Sequence, residues 1–383
     1  MEMRVFGRTN MRLSLLGFGC GAVGGLMVRG DPRDQERTVA RAIDVGVNYF
    51  DTAVQYGNGE SEKNLGRILQ SLKPANVVVG TKVRLPSATF SSIADTVATS
   101  LEGSLARLRR DGVDIFHLHN AITESGGGEA LSVRQVLGEV VPAFERLRQQ
   151  GKTRFLGLTA VGETAALYQV IDSGAFDSAQ VVYNMLNPSA ATELPANYPA
   201  QNYGQLFNHT VAAGVGVVGI RVLAGGALSG SAERHPIASP PPEPIGSAMS
   251  YGVDVLRARR LTPLIKEGFA SSLTEAASEL PIYLASRFDL LLNLTTAMTL
   301  GIRFPPSVIV RAQCPLLRVM RTLIGSALKI VLQGDRLAHC RIACDRPQLY
   351  WRCDRLDLRS AVRPWSAASA FCRNRRRVRS PAQ

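Results

Sequence analysis

Over its first 280 residues the chain alternates short apolar runs with longer stretches in which apolar residues recur at three- and four-residue spacing. The apolar run 15–20 is followed by 34–45, where Val39, Ala40, Ala42, Ile43 and Val45 crowd one helical face. The same sequence of events repeats. Strands are predicted over 48–53, 77–83, 113–119, 153–159, 179–184 and 215–222, with helical patterns at 61–72, 91–110, 133–150, 163–173 and 203–213 between them. The strand candidates are apolar throughout rather than alternating, which points to burial on both faces, as in a parallel sheet.

Two α/β architectures accommodate seven such strands: an open doubly wound sheet, or an eight-stranded (β/α)8 barrel. The barrel needs an eighth strand, and none is evident before residue 280, although 271–280 reads as the helix that would precede it. The run from Gly19 to Gly24 has the G-x-G-x-x-G spacing of a dinucleotide fold. That motif requires a helix to start within it, and the following 26–32 reads as broken before a helix can run. A loop at the end of the first strand is the other reading.

The formal net charge of +13 suggests a nucleic-acid partner until its distribution is considered. Residues 281–383 hold 18 Lys and Arg against 5 Asp and no Glu, so residues 1–280 are neutral overall. The same 103 residues hold five of the six cysteines and both tryptophans. The chain thus divides into a 1–280 barrel-like part and a basic, Arg- and Cys-rich 281–383 tail. Three readings of the tail stand. Its composition is what a GC-rich gene yields after a frame shift. It is a basic appendage ending in the cluster around Arg375–Arg377. Or it is a metal site of His339, Cys340, Cys344, Cys353 and Cys372, whose spacing fits no usual zinc pattern; no metal is expected. Within it, 319–332 reads as an amphipathic helix. Mean hydropathy is +0.04, there is no apolar run of membrane-spanning length, and the N-terminus carries no secretion pattern. A cytoplasmic protein without nucleic acid is expected.

In a parallel barrel the C-terminal ends of the strands carry the chemistry. The second strand ends at Asp51, with Tyr56 five residues on; the third ends near Lys82 and the fourth at His119. A lone lysine or histidine at such a place is usually a solvated end or a structural group. Four on successive strand ends form a set with a purpose. An ammonium favours phenolate and is expected to lower the Tyr56 pKa. Asp51 would hold Lys82, and His119 would donate to a carbonyl oxygen or share the Tyr56 proton. Such a site protonates an alkoxide as hydride arrives at carbon, and the hydride must come from a cofactor.

The segment from Asn48 to Gly57, with Gly59-Glu60-Ser61-Glu62 after it, resembles the signature of the aldo-keto reductase superfamily. So do Phe6-Gly7-Arg8-Thr9, Leu16-Gly17-Phe18-Gly19, Thr81-Lys82 and the run from Val113 to His119. The resemblance covers about residues 3–280. It implies a (β/α)8 barrel, NADP(H) or NAD(H), a small carbonyl or sugar substrate, and a tetrad of Asp51, Tyr56, Lys82 and His119. In it Tyr56 would donate the proton and Lys82 would tune it. On the cofactor side the resemblance places Gly19 and Cys20 beside the dinucleotide. Thr159-Ala160 stand where the family often has Ser-Asn, and Gln180 where it has a carboxamide-binding glutamine, with Asn184 following. Ile220 takes the place of the aromatic that often stacks on nicotinamide, next to Arg221, and Leu223 to Gly230, including Gly225, resembles the pyrophosphate loop. These departures suggest a sugar- or small-aldehyde subgroup. Loops 121–130, 188–201 and 231–252 would shape the substrate pocket. Two other functions remain open: a non-catalytic cofactor-binding barrel, as in the potassium-channel β-subunits that also resemble this fold, and an inactive product of a frame-shifted gene.

Overall fold

A computed structural model describes residues 1–243 and 245–278, together with the backbone of three strands at 327–332, 336–345 and 348–353. The chain divides into two compact units, Met1–Pro305 and Pro306–Gln383.

The first unit carries a seven-stranded parallel sheet. Its strands are β1 (Phe18–Gly19), β2 (Tyr49–Asp51), β3 (Val78–Val83), β4 (Val113–Leu118), β5 (Thr153–Thr159), β6 (Ser178–Val182) and β7 (Gly216–Ile220). They pair strictly in chain order. A doubly wound sheet reverses its strand order at a switch point, so the sequential order excludes that alternative and matches a (β/α)8 barrel. Among the described residues the sheet curls without closing: β1 pairs only with β2, and β7 only with β6.

Every predicted strand in 1–280 is present. Continuous apolar runs are what both-face burial demands, and β4 is buried at all six positions. Helices Pro32–Asp44, Glu60–Leu72, Ile93–Leu108, Thr164–Asp172 and Leu206–Ala212 lie where the periodicity placed them. The pattern at 133–150 is one helical run, Val133–Gln135 and Val141–Gln149 joined by a π-turn at Val136–Val140. Their apolar faces bury Val39, Leu65, Ile68, Leu101, Phe144 and Leu167 in the main core.

The structure differs from the sequence reading in three places. The stretch judged too broken for a helix forms one turn, Leu26–Arg29, entered through Gly25 and closed at Gly30. An N-terminal hairpin of Met3–Val5 and Arg12–Ser14 was not predicted. It closes the N-terminal end of the sheet by packing Phe6, Met11 and Leu13 on Tyr49 and Ile115. Arg8 fastens it by donating to Asp177 Oδ1 at 2.9 Å and to the carbonyl of Gly174 at 2.7 Å. Lastly, residues 327–332, assigned to the end of an amphipathic helix, form a strand, Ala327–Leu332, in an antiparallel three-stranded sheet. Apolar residues at Ala327, Leu328, Ile330, Val331 and Leu332 suit either form, and short apolar runs do not distinguish the two. Residues 319–326, the eighth barrel strand and the side chains of the proposed metal site lie outside the described residues. Among the described residues no helix is long and apolar enough to cross a membrane.

Candidate active site

A cleft of about 1010 Å³ runs through the interior of the curled sheet, from Phe6 and Leu13 of the N-terminal hairpin to the C-terminal ends of the strands, where it opens. Asp51, Tyr56 and His119 line it, with Lys82 immediately behind. Asp51 ends β2, where alternation turns its side chain inward, and the turn that follows brings Tyr56 back over the strand end. Lys82 lies on β3 and is fully buried. Its Nζ donates to Asp51 Oδ2 at 2.5 Å, to the carbonyl of Thr52 at 2.9 Å and to the Tyr56 hydroxyl at 3.2 Å. His119 follows β4, its ring edge-on to Tyr56 with centroids 6.0 Å apart. Its Nδ1 lies 3.4 Å from Gln55 Oε1. The four predicted groups therefore do converge.

Their electrostatics refine the expectation. Burial disfavours charge on Lys82, but Asp51 and the Tyr56 oxygen outweigh it, and the lysine pKa is raised. For Tyr56 the balance runs the other way. Burial raises the phenol pKa, Lys82 pulls it down only in part, and the net direction is up rather than the decrease expected. Tyr56 is thus a protonated phenol at neutral pH with an ammonium poised to stabilise its conjugate base. His119 is pushed down to about 3 by burial and then by Lys82, so it is neutral and able to donate one hydrogen bond.

The cofactor-side expectations divide. Gly19 lines the cleft and has nothing within 4 Å of where a Cβ would stand. Thr159 lines it too, and its buried Oγ1 has no partner. Ile220, Arg221, Leu223 and Gly225 line it at the end of β7. Arg221 sits at φ 57, a left-handed conformation unusual for a side-chain-bearing residue, and its guanidinium makes no hydrogen bond or ion pair among the described residues, although its carbonyl accepts from Asn184 and Ala224. Gly225 and Gly226 follow at φ 67 and 106, the region glycine alone enters freely, and turn backbone toward the cleft.

Two side chains are misplaced by the sequence reading. Cys20 and Ala160 are both wholly buried in the main core and neither lines the cleft; burial drives the Cys20 thiol pKa up. Gln180 is buried but lines the cleft, and its Nε2 donates to Asp51 Oδ1 at 2.6 Å. Asn184 is a turn residue, donating to the Arg221 carbonyl and accepting from the backbone of Leu186 and Asn187. Of the three loops, 121–130 contributes Ala121 and 231–252 contributes Glu233, Arg234, His235, Ala238, Ile245 and Tyr251. Nothing described in 188–201 lines the cleft.

Arg234 escaped the sequence reading altogether. It donates to Gly225 O at 2.6 Å, Ala238 O at 2.8 Å and Val23 O at 3.0 Å, with its guanidinium 4.9 Å from the Tyr251 ring centroid. It straps the loops after β1 and β7 to the 231–252 segment. No periodicity marks such a residue, because carbonyl partners have no sequence signature.

A nicotinamide dinucleotide suits these groups. The orphaned Thr159 hydroxyl offers a hydrogen bond to a polar ring substituent. The unpartnered Arg221 guanidinium, with the glycine turn beside it, offers charge and close backbone approach to an anionic chain.

Comparison with known proteins agrees with this arrangement. Residues 15–260 match the model of the aldo/keto reductase family. The chain is 33% identical over 248 residues to L-galactose dehydrogenase of Arabidopsis thaliana, covering 63% of this chain and 71% of that one. It is 28% identical over 213 residues to D-threo-aldose 1-dehydrogenase of a Pseudomonas species and 26% over 211 residues to the NADH-specific methylglyoxal reductase of Escherichia coli, spanning 62% of the length of each. These matches cover 49% and 51% of this chain. Among solved structures, the holo form of an aldo-keto reductase from Bacillus halodurans superposes with a TM-score of 0.50 at 22% identity, over 72% of this chain and 80% of that one, a likeness of fold. With the sequential parallel sheet and the family match in agreement, this chain belongs to the aldo/keto reductase family and is an oxidoreductase of that family's type.

Proposed function

We propose that this protein is an NADP(H)-dependent oxidoreductase acting on an aldehyde, ketone or aldose, with Asp51, Tyr56, Lys82 and His119 as its acid–base centre. The observation that carries the reading is the chain from Asp51 Oδ2 through Lys82 Nζ to the Tyr56 hydroxyl, 2.5 and 3.2 Å, at the wall of an open cleft. The bound nicotinamide would supply or accept hydride. Tyr56 would give its proton to the carbonyl oxygen as negative charge develops there, and Lys82 would stabilise the phenolate left behind. Neutral His119 would donate to the same oxygen and fix its direction. Gly19, Thr159, Ile220, Arg221, Leu223 and Gly225 would line the dinucleotide, which for Cys20 and Ala160 is a matter of backbone alone. The names of two relatives, an L-galactose and a D-threo-aldose dehydrogenase, favour aldoses within the substrate class. A cytoplasmic location and a foreign, frame-shifted origin of residues 281–383 belong to the same proposal.

The test is turnover of a panel of small aldehydes and aldoses with NADPH and with NADH. Wild-type protein is expected to react, preferring NADPH, and Tyr56→Phe to lose about 10²- to 10⁴-fold in kcat with little change in cofactor affinity. Cofactor binding with no turnover on any member would favour the non-catalytic barrel. The raised Tyr56 pKa gives a sign for pH dependence. Carbonyl reduction, which needs the phenol, should hold through neutral pH and fall only on the alkaline side. Alcohol oxidation, which needs the phenolate, should rise with pH throughout.

A further inference from the structure

The Asp51 carboxylate is held from both sides. Oδ2 faces Lys82, while Oδ1 accepts from Gln180 Nε2 at 2.6 Å and from the Tyr49 hydroxyl at 3.2 Å. Tyr49 and Asp51 are two residues apart on β2 and so point to the same side. Gln180 comes from β6, across the interior of the curled sheet. Tyr49 is 3% and Gln180 2% exposed, so both donors are held in place by their surroundings where they meet Asp51 at the wall of the cleft. The surroundings are shaped for this phenol. A Cβ at Gly80 would lie 2.8 Å from the Tyr49 oxygen, and one at Gly17 2.9 Å from its ring. Glycine at both positions is what lets the ring stand inward. Burial first, and Asp51 second, push the Tyr49 pKa well up, so it stays a donor.

We infer that Tyr49 and Gln180 are positioning residues that fix the Asp51 carboxylate and, through it, the Lys82 ammonium against Tyr56. The inference rests on the reading of Asp51, Lys82 and Tyr56 given above. It assigns one N–H of the Gln180 amide to Asp51 and leaves its Oε1 for a ligand. A carboxylate with one charged partner and no other donor can rotate about its χ angles. Two neutral donors on the far oxygen remove that freedom, and they do so without competing for the lysine. Loosening them lets Lys82 drift from the phenol, and the ammonium then does less to favour the phenolate.

The experiment compares wild type with Tyr49→Phe, which removes one hydroxyl, and Gln180→Met, which keeps the volume. Chains carrying ¹³C-labelled tyrosine are titrated by NMR, the Tyr56 signal being assigned by its loss in Tyr56→Phe. Steady-state kinetics are measured alongside. In each variant Tyr56 should ionise at a pH higher by about half a unit or more. The kcat should fall about tenfold with KM within about twofold, and the rising limb of alcohol oxidation should move to higher pH by the same interval. An unmoved Tyr56 titration in Tyr49→Phe, a change too small to unfold the chain, overturns the inference even if activity falls. A wild type without turnover whose Tyr56 titration still shifts in the variants leaves the clamp standing and removes the oxidoreductase reading of the site. A turning-over wild type with no shift does the reverse.

Discussion

Glu62 and His117 show how single buried polar groups support the site from below. Glu62 is 0% exposed, yet it is fully engaged: Thr81 donates to Oε1 at 2.5 Å and Arg107 to Oε2 at 2.6 Å. Thr81 directly precedes Lys82, so this carboxylate anchors the strand that presents the ammonium. Removing Arg107 leaves a buried charge with one neutral donor. Arg107→Ala should therefore destabilise the fold by about 3 kcal/mol, read as a lower urea midpoint at unchanged slope. His117 lies one layer beneath His119 on β4, wholly buried, with Nδ1 unpartnered and Nε2 3.3 Å from Ser178 Oγ. Burial pushes its pKa down to about 4, against 6.5 for an ordinary histidine. Between those values the unfolded chain binds more protons than the folded one. The stability gained from keeping His117 neutral is complete above pH 6.5 and is lost as pH falls toward 4, by about 1.4 kcal/mol per pH unit. The expected result is a wild type that loses about 2–3 kcal/mol more than His117→Gln between pH 6.5 and 4.5 in urea titrations. Parallel losses in the two proteins would mean that the imidazole takes up its proton without strain.

At the scale of elements the cleft roof depends on Arg234, whose three carbonyl partners span the loops after β1 and β7. Arg29 adds a second tie, donating to Ile237 O and Ala22 O, each at 2.8 Å. Arg234→Met keeps the apolar stem and removes the donors, so it should open the roof without disturbing the tetrad. Cofactor dissociation, followed by stopped-flow fluorescence, is expected to quicken about tenfold while kcat changes little. A change confined to kcat would place Arg234 in the chemistry instead. Arg234 also marks the limit of what the residues disclosed. The seven strands could be read because burial on both faces writes a continuous apolar run, and the tetrad because strand ends fall at fixed places along such runs. The N-terminal hairpin could not: its three-residue strands carry Arg4 and Arg12 and have no period to detect. Cys20 and Ala160 were placed by neighbourhood along the chain, whereas alternation turns the side chain next to an inward-facing residue the other way, into the core. Gln180 was found but its partner was not, since Asp51 and Gln180 are 129 residues apart and no local pattern records a contact of that separation.

For the molecule as a whole the open question of physics is the sheet's two edges. In a closed barrel every strand has two neighbours and no edge is left unpaired. Here Phe18–Gly19 and Gly216–Ile220 each have one neighbour among the described residues. The charge pattern bears on what completes them. The cleft-bearing 1–280 part is neutral, whereas 281–383 carries the whole excess, 18 basic against 5 acidic residues with no Glu. A segment selected to cover two apolar strand edges would be apolar on one face and would balance its charges on the other. A proposed foreign end has neither obligation. Removing residues 281–383 separates the cases. If the tail is foreign, the shortened chain should bind NADPH within about twofold of the full-length protein, because nothing the cofactor touches has been lost. Saturating cofactor at a hundred times Kd should then stabilise both by about 2.7 kcal/mol. If the tail instead completes the barrel, its removal exposes β1 and β7 together, and the shortened chain should aggregate on mild heating and lose its affinity for NADPH. Light scattering with and without the cofactor, on both chains, decides between them.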